Sequence, residues 1–187
     1  MLVKLTIKNL SFTKRITGKK TFEFGRVTIL AGPNGSGKSS VLRSMEARMQ
    51  KQSGSEKDVY VLDPPARLYF LDSEKTARNS GSFDETKDFG VQVGIRYMSH
   101  GEFMKIALQS AAAATEPSIF AVDEPESGLD LDGLFEYREL IQGSKHQFIV
   151  ATHHPLFWTI PEAKIIVLGK DKEYVRKCQR RFQELLP

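Results

Sequence analysis

Hydrophobic and polar positions along the chain switch between a period of two and a period near that of a helix. Val3, Leu5 and Ile7 alternate with Lys4, Thr6 and Lys8, which predicts a half-buried strand over Val3 to Leu10. The polar stretch Ser11 to Lys20 turns at Gly18. β character resumes at Thr21 to Phe24, with Phe22 and Phe24 on one face. Gly25 and Arg26 link this run tightly to an apolar one, Val27 to Gly32. The period then changes: Val41, Leu42, Met45 and Met49 form one stripe of a helix over Lys38 to Met49. Two antiparallel strands are therefore expected before a third strand that feeds a helix.

Beyond a solvated link, Gln50 to Asp58, two β-like runs, DVYVLD and RLYFLD, flank Pro64-Pro65. Residues 72–88 are rich in Ser, Asp and Lys. Compact domains seldom carry so long a structureless segment unless it moves or functions, so a mobile loop is expected there. Phe89 to Met98 is apolar enough for a strand, and Gly101 to Ala114 reads as a helix stopped by Pro117. Ile119 to Val122 is wholly apolar, as a central strand buried on both faces would be. A helix follows, capped by Asp130 and running to about Ile141, and then a buried strand, Gln147 to Ala151. After a turn at His153-His154-Pro155 comes a strand over Ile165 to Leu168. Gly169 to Lys172 reads as a hairpin link into EYVRK. The tail from Cys178 reads as a short helix burying Phe182, Leu185 and Leu186 while Arg180 and Arg181 stay wet. This alternation predicts an α/β fold with a mostly parallel sheet and N-terminal antiparallel β strands. It is expected to form one domain over residues 1–187, with 170–187 as a C-terminal extension.

Composition narrows the class only slightly. A chain of 187 residues, 40% hydrophobic and 27% charged, can build one sizeable core and describes an ordinary soluble globule. A net charge of +4 permits a DNA partner without arguing for one. The lone cysteine, Cys178, excludes an intrachain disulfide framework and makes a reducing compartment the default. No apolar run is long enough to span a bilayer, and the alternating N-terminus does not look like an export signal. The expectation is a cytoplasmic protein with no direct membrane insertion.

The chemistry begins at Gly32 to Ser39. The run GPNGSGKS fits G-x-x-x-x-G-K-[ST], placed between a strand and a helix as a phosphate-wrapping loop must be. Successive N–H groups make an anion nest, and the helix adds its positive end. Gly32, Pro33, Asn34, Gly35, Ser36, Gly37, Lys38, Ser39 and Ser40 are the expected cradle of a nucleoside triphosphate. Lys38 would reach the β- and γ-phosphates, and the Ser39 hydroxyl would ligate Mg²⁺. A second element, SIFAVDEPESGLD (Ser118 to Asp130), puts Asp123 and Glu124 at the C-terminal end of a buried strand, where α/β folds place ligands. Asp123 suits the metal, through Ser39 or a bound water. Glu124 suits orienting or deprotonating an attacking water.

With these motifs in this order, the chain resembles the ATP-binding-cassette (ABC) ATPases over Val3 to about Leu168. Within them it is similar to the soluble SMC-like and double-strand-break-repair heads, and to small AAA-type predicted ATPases that lack a coiled-coil arm. The resemblance implies a P-loop NTPase with a reduced helical subdomain, ATP and Mg²⁺ as cofactors, and hydrolysis of ATP. GPNGSGKS looks like Walker A, and IFAVDEP looks like Walker B with Glu124 catalytic. ESGLD (Glu126 to Asp130) looks like the D-loop that communicates across a dimer. ATHH (Ala151 to His154) looks like the switch loop, with His153 in the family position facing γ-phosphate or water. MSHGE (Met98 to Glu102) looks like the signature, with His100 where Gly is usual. Ser99, Gly101 and Glu102 would then serve the ATP of a second copy, in an ATP-dependent head-to-tail homodimer.

The family's Q-loop glutamine has no clear counterpart. After RLYFL the chain reads DSEK, so Glu74, alone or with Asp72, is the candidate metal ligand, and a solvated acidic turn is the plain alternative. Gln92 and Arg78 are weaker candidates. Between Ser40 and Met98 no heptad run could form an SMC arm. The stretch Lys75 to Met98 is short and polar for a transporter's helical subdomain. The favoured reading is an Mg²⁺-dependent ATPase that couples nucleotide state to a macromolecular partner. The alternatives are a membrane-transporter ATPase subunit and a nucleotide-gated DNA-binding module in repair, phage or mobile-element functions. The last would gather Lys14, Arg15, Lys19, Lys20, Arg176, Arg180 and Arg181 on one face. A small-molecule kinase, which shares the phosphate loop, is disfavoured by Glu124, SHGE and His153.

Overall fold

Two sheets organise the protein. Its structure, a computed structural model, describes residues 2–8, 19–50, 60–62, 67–72 and 115–185. The N-terminal alternation forms β1 (Leu2–Lys8), which pairs antiparallel with β2 (Lys19–Glu23) and with β4 (Tyr60–Leu62). The larger sheet is parallel throughout. It is built from β3 (Val27–Ala31), β5 (Arg67–Asp72), β6 (Ser118–Asp123), β7 (Gln147–Ala151) and β8 (Lys164–Val167), in the order β5-β6-β7-β3-β8. The two β-like runs around Pro64-Pro65 therefore enter different sheets. Residues 89–98 and 101–114, a strand and a helix by sequence, lie outside the described residues, as do residues 73–88 of the expected mobile loop.

Strands β3, β6 and β7 are buried along their whole length, as their nearly unbroken apolar runs predict. Alternate residues serve opposite faces. Val27, Ile29, Phe120, Val122, Phe148 and Val150 pack on one side with Leu134, Tyr137 and Ile141 of α2 (Leu131–Gly143). Leu30, Ile119, Ala121, Ile149 and Ala151 pack on the other with Val41, Leu42 and Met45 of α1 (Lys38–Gln50). Phe22 and Phe24 join this second cluster, so the face predicted for them is the buried one.

Local chemistry sets the ends of α2. Asp130 caps it, its Oδ1 accepting from Gly133 N at 2.9 Å. At the other end, Arg26 donates to Ser144 O at 2.7 Å and to Ile141 O and Gln142 O at 3.2 Å each. A cation on the last carbonyls opposes the negative end of the helix dipole. The supposed link residue thus ties the start of β3 to the end of α2.

The C-terminal segment departs from the sequence expectation. EYVRK is not a hairpin strand, because α3 (Tyr174–Leu185) starts within it. Tyr174, Val175 and Cys178 turn toward the core, a helical spacing that a strand could not match. Phe182 and Leu185, expected to be buried, are 52% and 78% exposed. The apolar contact is made by the first turns of the helix, and Leu186 lies outside the described residues.

Candidate nucleotide site

Parallel pairing brings the chemistry-bearing segments to one edge. The loop after β3, the acidic pair ending β6 and the histidine loop after β7 leave the C-terminal ends of neighbouring strands β6-β7-β3. Hydrogen bonds just past the strands hold these exits in step: Glu124 N donates to Ala151 O at 2.9 Å, Thr152 N to Leu30 O at 3.2 Å and Leu168 N to Ala31 O at 2.8 Å. The backbone of Asp72 pairs in register with Asp123, so β5 ends at the same edge. Glu74, Ser99, His100, Gly101 and Glu102 lie outside the described residues.

The phosphate loop closes on itself. Gly32, Gly35 and Gly37 have φ of 151°, 78° and 100°, and Ser36 N donates to Pro33 O at 3.0 Å. The need for glycine is steric at Gly32, where a Cβ would lie 2.6 Å from Leu168 O and 2.7 Å from Ser36 Oγ. Lys38 is only 4% exposed, and its Nζ donates to Gly32 O at 3.0 Å and Pro33 O at 3.5 Å. Among the described residues no carboxylate pairs with it. Ser36 Oγ is buried and has no partner among the described residues. A buried ammonium held by carbonyls, beside a buried hydroxyl, suits an incoming anion.

Asp123 and Ser39 come from segments far apart in sequence, yet Ser39 Oγ donates to Asp123 Oδ1 at 3.1 Å. A hydroxyl and a carboxylate side by side are hard oxygen donors of the kind Mg²⁺ takes. Glu124 is half-buried and adopts left-handed backbone, φ 49° and ψ 60°. For a residue with a Cβ that conformation costs about 1–3 kcal/mol and recurs at functional sites. Its carbonyl is held by Ser127 N at 3.1 Å and Ser127 Oγ at 2.9 Å, which leaves the carboxylate outside the turn's own bonding.

The histidine loop depends on a residue of the D-loop-like run Glu126 to Asp130. Glu126, on the 3-10 turn Pro125–Ser127, accepts through Oε1 from Thr152 Oγ1 at 2.7 Å and His153 N at 2.9 Å. The same oxygen lies 3.1 Å from His153 Nδ1. Only the adjacency of β6 and β7 brings these residues together, and no local motif signals it. His154 turns away: its Nδ1 accepts from Leu156 N at 3.3 Å and caps the 3-10 turn Pro155–Thr159. Burial lowers the pKa of His154, partly opposed by the charge of Glu126. Tyr137, buried beneath, has its pKa raised by burial and secondarily by Glu126.

No protein-family profile matches the chain. It is 28% identical over 137 residues to the zinc import ATP-binding protein ZnuC of Photobacterium profundum, covering 64% of the chain and 53% of that protein. It is also 28% identical over 198 residues to ZnuC of Rhizobium etli, covering 87% and 63%. Among solved structures, the SMC head domain from Thermotoga maritima aligns with a TM-score of 0.56 at 19% identity, over 90% of the chain and 94% of that domain. The chain is thus similar in sequence to ABC ATP-binding proteins and shares the fold of an SMC head domain. A metal-chelate type ABC transporter in an inward-facing conformation shares the fold as well, with a TM-score of 0.53 at 18% identity, over 90% and 80%. The chain spans only about half to two thirds of those two ZnuC relatives. The likeness in fold is that of an α/β P-loop NTPase, carried by the parallel five-stranded sheet and its flanking helices.

Proposed function

We propose that this ABC-type chain binds ATP with Mg²⁺ and hydrolyses it to ADP and phosphate, in a composite site completed by a second copy. The observation that carries this reading is the contact between Ser39 Oγ and Asp123 Oδ1 beside a buried Lys38 that has no acidic partner among the described residues. Gly32 to Ser40 wrap the phosphates with backbone N–H groups. Lys38, already desolvated, stabilises charge on the β- and γ-oxygens, and such preorganised charge is typically the largest catalytic contribution. Ser39 and Asp123, with Glu74, would hold Mg²⁺, which when bound would neutralise phosphate charge. Glu124 orients the water that attacks the γ-phosphorus in line and takes its proton. Ser99, Gly101 and Glu102 of the second copy close on the γ-phosphate, and closure couples nucleotide state to a macromolecular partner in the cytoplasm.

The test is phosphate release from ATP by the purified chain, with Mg²⁺ and with chelator. Hydrolysis requires Mg²⁺, falls at least about a hundredfold in Lys38→Ala and is lost in Glu124→Gln while nucleotide binding survives. Hydrolysis that persists unchanged in Glu124→Gln overturns the assignment of the base.

A second reading makes the partner a membrane transport system, and the ZnuC names of the relatives favour it. No helix among the described residues is long and apolar enough to cross a membrane, so the chain would dock on another protein. Co-purification with a membrane protein favours this reading. Salt-sensitive stimulation of hydrolysis by duplex DNA favours the nucleotide-gated DNA module instead.

A further inference from the structure

Glu126 is more deeply buried than the histidine it meets: its side chain is 7% exposed and that of His153 45%. A carboxylate taken so far from water is costly unless donors surround it. Among the described residues its donors come from the histidine loop: Thr152 Oγ1 and His153 N donate to Oε1, and His153 Nδ1 lies 3.1 Å from the same oxygen. Oε2 is buried and meets no partner among the described residues. Pinning a loop through a hydroxyl and a backbone N–H needs only a neutral acceptor, which glutamine would supply without the desolvation cost of a charge. The feature that specifically uses a charge is the imidazole.

We propose that Glu126 is a positioning residue for His153, holding the ring by its Nδ1–H so that Nε2 is left as an acceptor for the attacking water. The inference rests on the ATPase reading above. In a neutral imidazole one nitrogen carries the proton, and the hydrogen bond made by one nitrogen decides the role of the other. A carboxylate 3.1 Å from Nδ1 selects the Nδ1–H form. Nε2 then accepts from water and does not donate to the phosphate. Because Glu126 lies on the turn that follows Glu124, a shift of the D-loop at a dimer contact would move the histidine loop with it.

Two measurements decide this. Glu126→Gln keeps an oxygen for Thr152 and the backbone but removes the charge that strengthens the Nδ1–H bond. It is expected to lower kcat about tenfold, with KM and ATP binding within about twofold of wild type. In a His153→Ala background the same substitution should cost nothing further, since Glu126 then has no ring to hold. An equal loss in both backgrounds means that Glu126 only supports the loop and overturns the proposal. The second measurement is the ring nitrogen chemical shifts of His153 in nucleotide-free protein, above the titration of histidine. Wild type should show the Nδ1–H form, and Glu126→Gln should move toward the Nε2–H form that free histidine favours. Identical His153 ring shifts in the two proteins also overturn it. If wild type does not hydrolyse ATP, the ATPase reading fails, and the ring shifts alone decide whether Glu126 sets the tautomer.

Discussion

Replacing Gly32 with alanine tests how closely the phosphate loop is bound to the sheet. The new methyl group would sit 2.6 Å from Leu168 O, 2.7 Å from Ser36 Oγ and 3.2 Å from Ser36 Cβ, on a residue with φ of +151°. None of these atoms is the loose end of a long side chain. Leu168 cannot retreat freely, because its own N–H bonds Ala31 O at 2.8 Å and continues the pairing of β3 with β8. Overpacking of this kind costs about 1–3 kcal/mol, and an unfavourable backbone conformation costs a similar amount. Because one relaxation relieves part of both, about 3 kcal/mol is the expected total. For a chain of this size each kcal/mol moves the melting temperature by about 2–4 °C, so the midpoint should fall by about 6–12 °C. The displaced atoms belong to the loop itself, so affinity for a fluorescent ATP analogue with Mg²⁺ should fall as well. Gly143→Ala is the control: nothing lies within 4 Å of its Cβ position, and in a helix the exchange should be neutral or mildly stabilising. A Gly32→Ala protein that melts with wild type and binds the analogue equally well would refute the reasoning.

Arg26→Ala removes the cation from the last carbonyls of α2 and should cost about 2 kcal/mol. Thermal denaturation should show it as a lower midpoint, with the KM for ATP unchanged. His154 supplies a pH dependence. Its pKa is lowered from 6.5 by burial, so below that pH the unfolded chain binds the extra proton more readily than the folded one. Its contribution to stability is therefore complete above about pH 6.5 and is lost as pH falls toward the folded value. Melting curves across that window should slope in wild type and flatten in His154→Asn, which keeps an acceptor for Leu156 N.

The candidate site is legible where it is written locally. Gly32 to Ser39 carries its spacing, its glycines and its strand-to-helix context in one stretch, and Asp123-Glu124 follows a run so apolar that only a central strand fits it. Other features depend on which strands become neighbours. Glu126 meets His153 because β7 lies beside β6, and Arg26 reaches α2 because β3 starts near the end of that helix. Neither contact leaves a periodic trace. The runs on either side of Pro64-Pro65 look alike, yet one joins an antiparallel sheet and the other a parallel one. At the C-terminus, a Gly-Lys-Asp-Lys turn before EYVRK suggested a hairpin. A strand there would need a partner edge, whereas a helix packs Tyr174, Val175 and Cys178, each partly buried, against the core together.

The central claim is that ATP is bound and cleaved between two copies of the chain. The most direct measurement is the solution mass of Glu124→Gln by light scattering, with and without saturating Mg²⁺ and ATP. Binding without cleavage should trap the closed state, so the mass should double when nucleotide is added and return to that of one chain when it is removed. A variant that binds ATP and keeps the mass of a single chain at every protein concentration would contradict the account.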